Sequence, residues 1–179
     1  MASIKETIVK ENFLLPLFFQ KLNQLIESQF INWRFEKDTI SCTKDNHMLF
    51  GHCIFDSTQK IRVLNSEYKS LFEPVLYSLY EEVKFTDVLR IKLNLYVNHT
   101  VQHIHAKHID ITKRDGKTAL NSLVTAVLNF TDCDGYTQIE DKKYPSKANS
   151  IIIFDGNKMH CGATPTDTKK RVVLNMNVI

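Results

Sequence analysis

The sequence predicts an α+β fold in which helices pack on an antiparallel β-sandwich or barrel. Three observations predict it. Apolar residues at helical spacing occur in the first half of the chain. Apolar and polar residues alternate in short runs through the second half. Several of those runs also carry polar side chains on a face that a sandwich would bury, as a barrel mouth holding a site would require.

Taken in order, "PLFFQKLNQLIES" spaces Leu17, Phe18, Leu22, Leu25 and Ile26 on one helix face, with Pro16 at a first helical position. "SEYKSLFEPVLYSLYEEV" predicts a second helix with Leu71, Val75, Leu76 and Leu79 on one side. Pro74 inside it predicts a kink or a later start. From residue 87 the texture changes. In "DVLRIKLNLYVN", Leu89, Ile91, Leu93 and Leu95 point one way and Arg90, Lys92, Asn94 and Tyr96 the other. Further strands are predicted at "SLVTAVLNFT", "TQIED", "SIIIFDG" and "RVVLNMNVI". Turn signals at "RDGK", "DCDG", "YPSK", "DGNK" and "ATPTD" separate them.

The whole chain, 179 residues, is long enough for one domain with a real core. A formal charge of +3 and 24% charged residues describe a mixed surface and do not point to nucleic acid. Cys42, Cys53, Cys133 and Cys161 form no CxxC pair, which predicts reduced thiols and a cytoplasmic protein. The apolar run "FLLPLFF" is too short to cross a bilayer and Pro16 interrupts it, so no membrane segment is expected. Glu6 and Glu11 precede that run in place of a basic leader. Oligomeric state is not legible.

The chemistry concentrates in "QHIHAKHIDI", residues 102–111, which holds three of the seven histidines and Asp110. On an unbroken strand His108 and Asp110 share one face, and His103 and His105 the other. An H-x-D pair supplies two adjacent coordination positions. His160, 50 residues beyond Asp110 in "FDGNKMHCGATP", can supply a third. Two imidazoles and a carboxylate make the facial triad that holds iron(II) and leaves positions open. A closed structural zinc site would need a fourth protein ligand. A cupin-like set would use His103 and His105, with Asp110 standing in for the usual glutamate. On the triad reading His103 and His105 line the entrance or face solvent, and Cys161 is a core thiol. Arg171 lies 11 residues past His160, where a neighbouring strand can carry its planar fork to a carboxylate. Tyr136 and Thr137 are read as packing residues. "TKRDGK" is a solvated loop or a substrate lip just after Asp110, and with Lys107 its Lys113, Arg114 and Lys117 make a basic rim.

The stretches "LRIKLNLY", "HIDI", "TAVLNFTDCDGYTQIE", "ANSIIIFDGNKMHCGATP" and "RVVLNMNV" together resemble the iron(II)- and 2-oxoglutarate-dependent dioxygenases, on the side of the prolyl 4-hydroxylase-like proteins. "DGYTQIE" and "NSIIIFDG" are similar to compact bacterial and phage-encoded members. The resemblance spans residues 88–179. It implies a double-stranded β-helix, or jelly roll, with N-terminal helices packed on one sheet. Residues 1–86 would be mainly helical support and 87–179 the catalytic core. It implies that His108, Asp110 and His160 bind iron, that Arg171 binds the far carboxylate of 2-oxoglutarate, and that Tyr96 helps to seat it. The implied cofactors are Fe(II), the co-substrate 2-oxoglutarate and dioxygen, with ascorbate as an optional reductant. The implied reaction couples oxidative decarboxylation of 2-oxoglutarate to hydroxylation of a C–H bond, with a peptidyl, prolyl substrate favoured. A nucleotide, a free amino acid or another small metabolite is the alternative substrate. A non-catalytic metal-binding jelly-roll module is the alternative function. Animal collagen hydroxylases place a lysine where this chain has Arg171.

Overall fold

The structure, a computed structural model, describes residues 4–36, 48–58, 64–112 and 120–179. Its elements are β1 (Ile8–Lys10), α1 (Pro16–Glu27), β2 (Arg34–Glu36), β3 (Leu49–Asp56), β4 (Leu64–Asn65), α2 (Lys69–Glu82) and β5 (Val88–Val97), then β6 (Val124–Asn129), β7 (Cys133–Ile139), β8 (Lys142–Ser146), β9 (Ser150–Asp155), β10 (His160–Gly162) and β11 (Lys170–Val178).

Both helices form where the spacing predicts, and their faces are rotated slightly from it. Pro16 opens α1, its fixed φ suiting the first turn. The helix stops at Ser28, whose hydroxyl and backbone N–H both donate to the Leu25 carbonyl. Leu22 and Ile26 are its buried residues, while Leu17 is exposed. In α2 the buried stripe is Phe72, Val75 and Leu79, and Leu71 points outward. Pro74 lies inside α2 and does not mark its start. The carbonyl it leaves without a donor belongs to exposed Ser70, where water can take the bond.

The strands form two antiparallel sheets. The main sheet has the order β1-β9-β6-β11-β5-β3-β2, with β4 paired to β3, and the small sheet has the order β10-β7-β8. Residues 104–108 run along the outer side of β10 through bridges of Ile104 to Ala163 and His108 to His160. Along the chain the strands therefore alternate: β5 in the main sheet, 104–108 against the small one, β6 main, β7 and β8 small, β9 main, β10 small, β11 main. That alternation is a double-stranded β-helix, with α1 and α2 packed on the main sheet. Among the described residues no helix is long and apolar enough to cross a membrane.

Residues 1–86, expected as mainly helical support, also contribute β1 to one edge of the main sheet and β2, β3 and β4 to the other. β8 includes Tyr144, Pro145 and Ser146, read from sequence as a turn. It is an edge strand, and its register breaks between Cys133 and Tyr136 on β7, so the missing proline N–H costs little. The "DCDG" signal likewise falls largely inside β7.

Strand alternation gives the main sheet two unlike faces. Towards the helices it presents Ile91 and Leu93, Val124, Ala126 and Leu128, Ile151 and Ile153, and Val172, Leu174, Met176 and Val178, in one cluster with Phe72, Val75 and Leu79. Towards the small sheet it presents a second, smaller cluster of Val127, Ile152, Phe154 and Val173, closed by Ile139 and Tyr144. Beside that cluster the inner face turns polar. β11 and β5 pair Arg171 with Tyr96, Val173 with Asn94, Asn175 with Lys92, and Asn177 with Arg90.

Candidate metal and anion site

His108 and Asp110 sit two residues apart on the segment that runs along β10, and His160 opens β10 opposite His108. The backbones are tied by reciprocal bonds, His108 N–H to the His160 carbonyl at 2.9 Å and His160 N–H to the His108 carbonyl at 3.0 Å. One potential ligand atom from each of His108, Asp110 and His160 lies within 4.8 Å of the others.

Backbone carbonyls set the imidazole tautomers. His108 Nδ1 lies 3.1 Å from the Ala106 carbonyl oxygen and His160 Nδ1 lies 3.0 Å from that of Lys158. A carbonyl can only accept, so each Nδ1 carries the proton and each neutral ring turns an Nε2 lone pair inward. The two Nε2 atoms stand 3.5 Å and 3.4 Å from oxygens of Asp110. His160 Nε2 is buried and has no hydrogen-bond partner of good geometry. Three lone-pair donors thus converge, an arrangement that repels itself until a cation sits among them.

Asp110 is held on every side. Arg90 Nη2 donates to its Oδ1 at 2.9 Å, and Asn175 and Asn177 Nδ2 donate to its Oδ2 at 3.1 and 3.0 Å. Arg90 Nε also donates to Asn177 Oδ1, closing the network. Burial pushes the Asp110 carboxyl up, but Arg90, His160 and the hydrogen bonds outweigh it and hold the group well below the usual carboxylate range. Burial pushes His160 down, yet the Asp110 charge and the Lys158 carbonyl carry it above the ordinary imidazole value. The first shift keeps Asp110 an anion, and the second is the pull of that anion on a positive charge at His160. The side chain of His108 is 25% exposed, against 5% for Asp110 and 4% for His160, so the centre opens on the His108 side.

Further along the inner face lies Arg171, the largest fully buried side chain among the described residues. Its Nη2 donates to Thr137 Oγ1 at 2.8 Å and Asn129 Oδ1 at 3.3 Å, and its guanidinium lies over the Tyr96 ring. Nε has no partner, and no carboxylate pairs with the charge among the described residues. Burial pushes this guanidinium below its ordinary value. Gly162 lets the backbone of β10 approach this pair closely: a Cβ there would lie 3.1 Å from Tyr96 Oη and 3.4 Å from Arg171 Nη1. A buried guanidinium without a carboxylate favours an anionic partner.

The fold brings His108, Asp110 and His160 together, and sets Tyr96 beside Arg171. His103 and His105 do not join the metal group. His105 is not at a solvent-facing entrance; it is buried, with its ring 5.2 Å from that of Tyr96. The backbone explains this. Five residues on one side (104 to 108) span four on the other (163 to 160), so the register slips by one and the simple alternation fails. His103 packs edge-on to His99. Cys161 is buried outside the metal group, and burial raises its pKa. Thr137, read as packing, instead takes a hydrogen bond from Arg171. Of the basic rim, Lys107 pairs with Asp141 at 3.2 Å. Lys113, Arg114 and Lys117, with most of the expected lip, lie outside the described residues, as does Cys42. The supports that sequence reasoning missed are Asn129, Asn175, Asn177 and the Asp110 role of Arg90. "RVVLNMNVI" carried a signal for two of them, since Asn175 and Asn177 follow Arg171 at even steps in an otherwise apolar strand.

No family model and no curated protein matches the sequence. Solved structures do match in fold. An oxidoreductase of the 2OG-Fe(II) oxygenase family from Burkholderia pseudomallei superposes with a TM-score of 0.69 at 8% identity, covering 96% of this chain and 84% of the other. The viral collagen prolyl hydroxylase of Paramecium Bursaria Chlorella virus-1, in a 2OG complex, gives 0.62 at 13% identity, covering 98% and 97%. HygX from Streptomyces hygroscopicus, with nickel, 2-oxoglutarate and hygromycin B bound, gives 0.58 at 10% identity, covering 96% and 81%. Identities this low make the likeness one of fold.

Proposed function

We propose that this chain is an iron(II)- and 2-oxoglutarate-dependent hydroxylase, with His108, Asp110 and His160 as the metal ligands. The observation that carries the reading is one interior between the two sheets that holds both a His-Asp-His set and, on β11, a buried Arg171 with no carboxylate partner among the described residues. The donor set fits iron(II), since two neutral imidazoles and one carboxylate leave coordination positions for a chelating co-substrate and dioxygen. Bound iron(II) would supply the chemistry that splits dioxygen, one oxygen atom entering succinate as 2-oxoglutarate loses carbon dioxide, the other entering a C–H bond of the substrate.

The chain's own residues do the rest. The Ala106 and Lys158 carbonyls hold the imidazole tautomers and keep both Nε2 lone pairs inward. Arg90, Asn175 and Asn177 fix the Asp110 carboxylate and keep it ionised. Arg171 binds the far carboxylate of 2-oxoglutarate through its planar fork, with Tyr96 as the wall beside it. Val127, Ile152, Phe154 and Val173 keep that side of the face dry. A prolyl peptide is the favoured substrate, supported by the resemblance of the sequence and by the fold shared with the viral prolyl hydroxylase. A small metabolite is the second reading, supported by the fold shared with HygX, which binds hygromycin B.

The test is anaerobic loading with Fe(II), metal analysis, and 2-oxoglutarate decarboxylation followed as succinate release. One iron per chain and oxygen-dependent succinate are expected. Zinc held tightly with no open position and no succinate would overturn the reading.

A further inference from the structure

Asp110 is held by more than its orientation requires. Asn175 and Asn177 both donate to its Oδ2, at 3.1 and 3.0 Å, and these are neutral amides. Its Oδ1 takes a third bond, at 2.9 Å, from Arg90 Nη2, and this donor brings a full positive charge. Arg90 is aimed there by the same network, since its Nε donates to Asn177 Oδ1 at 3.2 Å. It is not a solvated surface cation: its side chain is 22% exposed.

That charge works against the metal. Asp110 Oδ1 stands 3.5 Å from His108 Nε2 and Oδ2 stands 3.4 Å from His160 Nε2, so both oxygens border the space where the three ligands converge. A guanidinium one hydrogen bond from a ligand repels a bound cation and draws electron density off the carboxylate. A neutral amide at position 90 would orient Oδ1 without either effect. The charge therefore calls for a reason beyond orientation. Coulomb repulsion supplies one, because it is about half as large again for a trication as for a dication.

Resting on the hydroxylase reading above, we propose that Arg90, acting through Asp110, holds the iron in its ferrous state. In the absence of substrate, iron(II) can lose one electron to dioxygen, giving iron(III) and superoxide. The chain is then idle until a reductant such as ascorbate returns the electron. A positive charge on the ligand carboxylate disfavours the ferric side of that exchange, as hydrogen bonds and local charge do at other iron centres. Arg90 is thus a positioning residue whose charge tunes the potential. Asp56 stands opposite it on β3 and supplies a control of opposite sign, because removing that anion leaves the Arg90 charge less opposed.

The test uses the full chain, loaded anaerobically with iron and 2-oxoglutarate and poised against redox mediators. The ferric fraction is read from its electron paramagnetic resonance signal. Arg90→Gln keeps a donor and loses the charge. Its ratio of iron(III) to iron(II) at a fixed potential is expected to rise about tenfold or more, a fall in midpoint of about 59 mV for one electron. Arg90→Lys keeps the charge and is expected to stay close to wild type. Asp56→Asn is expected to move the midpoint upward. Should Arg90→Gln fail to fold, Arg90→Met makes the same comparison. An unchanged ratio in the neutral variant overturns the inference, and weaker Mn(II) binding beside it would leave Arg90 as a structural prop of Asp110. Movement of Arg90→Gln and Asp56→Asn in the same direction also overturns it, as the mark of disturbed packing. In both cases the hydroxylase reading stands. Wild-type protein that binds neither iron nor Mn(II) sinks that reading itself, and the inference with it.

Discussion

The two faces of the main sheet are made by the same strands and have opposite chemistry. On β11, Val172, Leu174, Met176 and Val178 go to the helices, and Arg171, Asn175 and Asn177 go inward. On β5, Ile91 and Leu93 go out, and Arg90, Lys92, Asn94 and Tyr96 go in. The outer face satisfies itself: it is apolar, continuous and covered by α1 and α2. The inner face does not. It leaves Asn94 Oδ1, Asn175 Oδ1 and Arg171 Nε without partners, and His160 Nε2, on β10 of the small sheet, has none either. Stability is gathered on one side of a rigid sheet, and the other side can hold groups that wait for a ligand.

The sharpest way to break this contrast is at Asp110. Asp110→Ala removes the one anionic ligand of the candidate centre and leaves the strand pairing of β10 and β11 intact. Complete loss of divalent-metal binding and of 2-oxoglutarate turnover is expected, with the far-ultraviolet circular dichroism of the wild type. Stoichiometric Mn(II) binding by this variant would show that the ligands lie elsewhere.

On the outer face the expectation reverses. Phe72 is fully buried in the helix-side cluster, and Phe72→Ala should cost about 3–5 kcal/mol of stability. Urea unfolding measures that loss. The protein that remains folded should still bind one metal ion, because no atom of Phe72 belongs to the inner face. Loss of metal binding from folded Phe72→Ala protein would mean that the two faces are coupled.

A smaller effect is expected at the anion end. Arg171→Lys keeps the charge and loses the two-point fork, so metal binding should persist. The 2-oxoglutarate concentration for half-maximal turnover should rise about ten- to a hundred-fold, the effect of one charge-assisted hydrogen bond at about 1.5–3 kcal/mol. Arg171→Ala should be worse. Arg90 and Lys92 cannot take over, since they are engaged with Asp110 and Glu36. An unchanged 2-oxoglutarate requirement in Arg171→Ala would falsify the assignment of the anion end.

The outer face and the His108, Asp110, His160 set were legible in the sequence from spacing: strand alternation for the first, the two-residue step from His108 to Asp110 with a later histidine for the second. "DVLRIKLNLY" and "RVVLNMNV" declare two faces at once. What was not legible depends on pairing between distant segments. β1 and β2 are three residues each and β4 is two, too short to show a period, and they exist because a sheet edge is there to receive them. Asn129 and Thr137 become partners of Arg171 only through the crossing of the two sheets. The buried stripe of α2 keeps Val75 and Leu79 of the expected one and takes Phe72 in place of Leu71, because an apolar pair at adjacent positions fits two overlapping helical stripes.

The smallest expected effect is at His105, where alternation itself gave way. An unbroken strand would turn His105 away from the face of His108, and a cupin-like site would use it as a ligand. The slip between the Ile104–Ala163 and His108–His160 bridges instead buries it against the Tyr96 ring, outside the set of atoms that converge on the centre. His105→Ala should therefore leave Mn(II) affinity within about threefold of wild type, since no ligand is lost, and about threefold is well under the ~1.4 kcal/mol of a tenfold change. Its effect should appear in the 2-oxoglutarate requirement, because Tyr96 loses the ring that packs on it and Tyr96 lies beside Arg171. A titration of each ligand separately reads the two effects apart. Loss of metal affinity in His105→Ala, together with metal retained in Asp110→Ala, would reverse the ligand assignment and hand the centre to the cupin-like set.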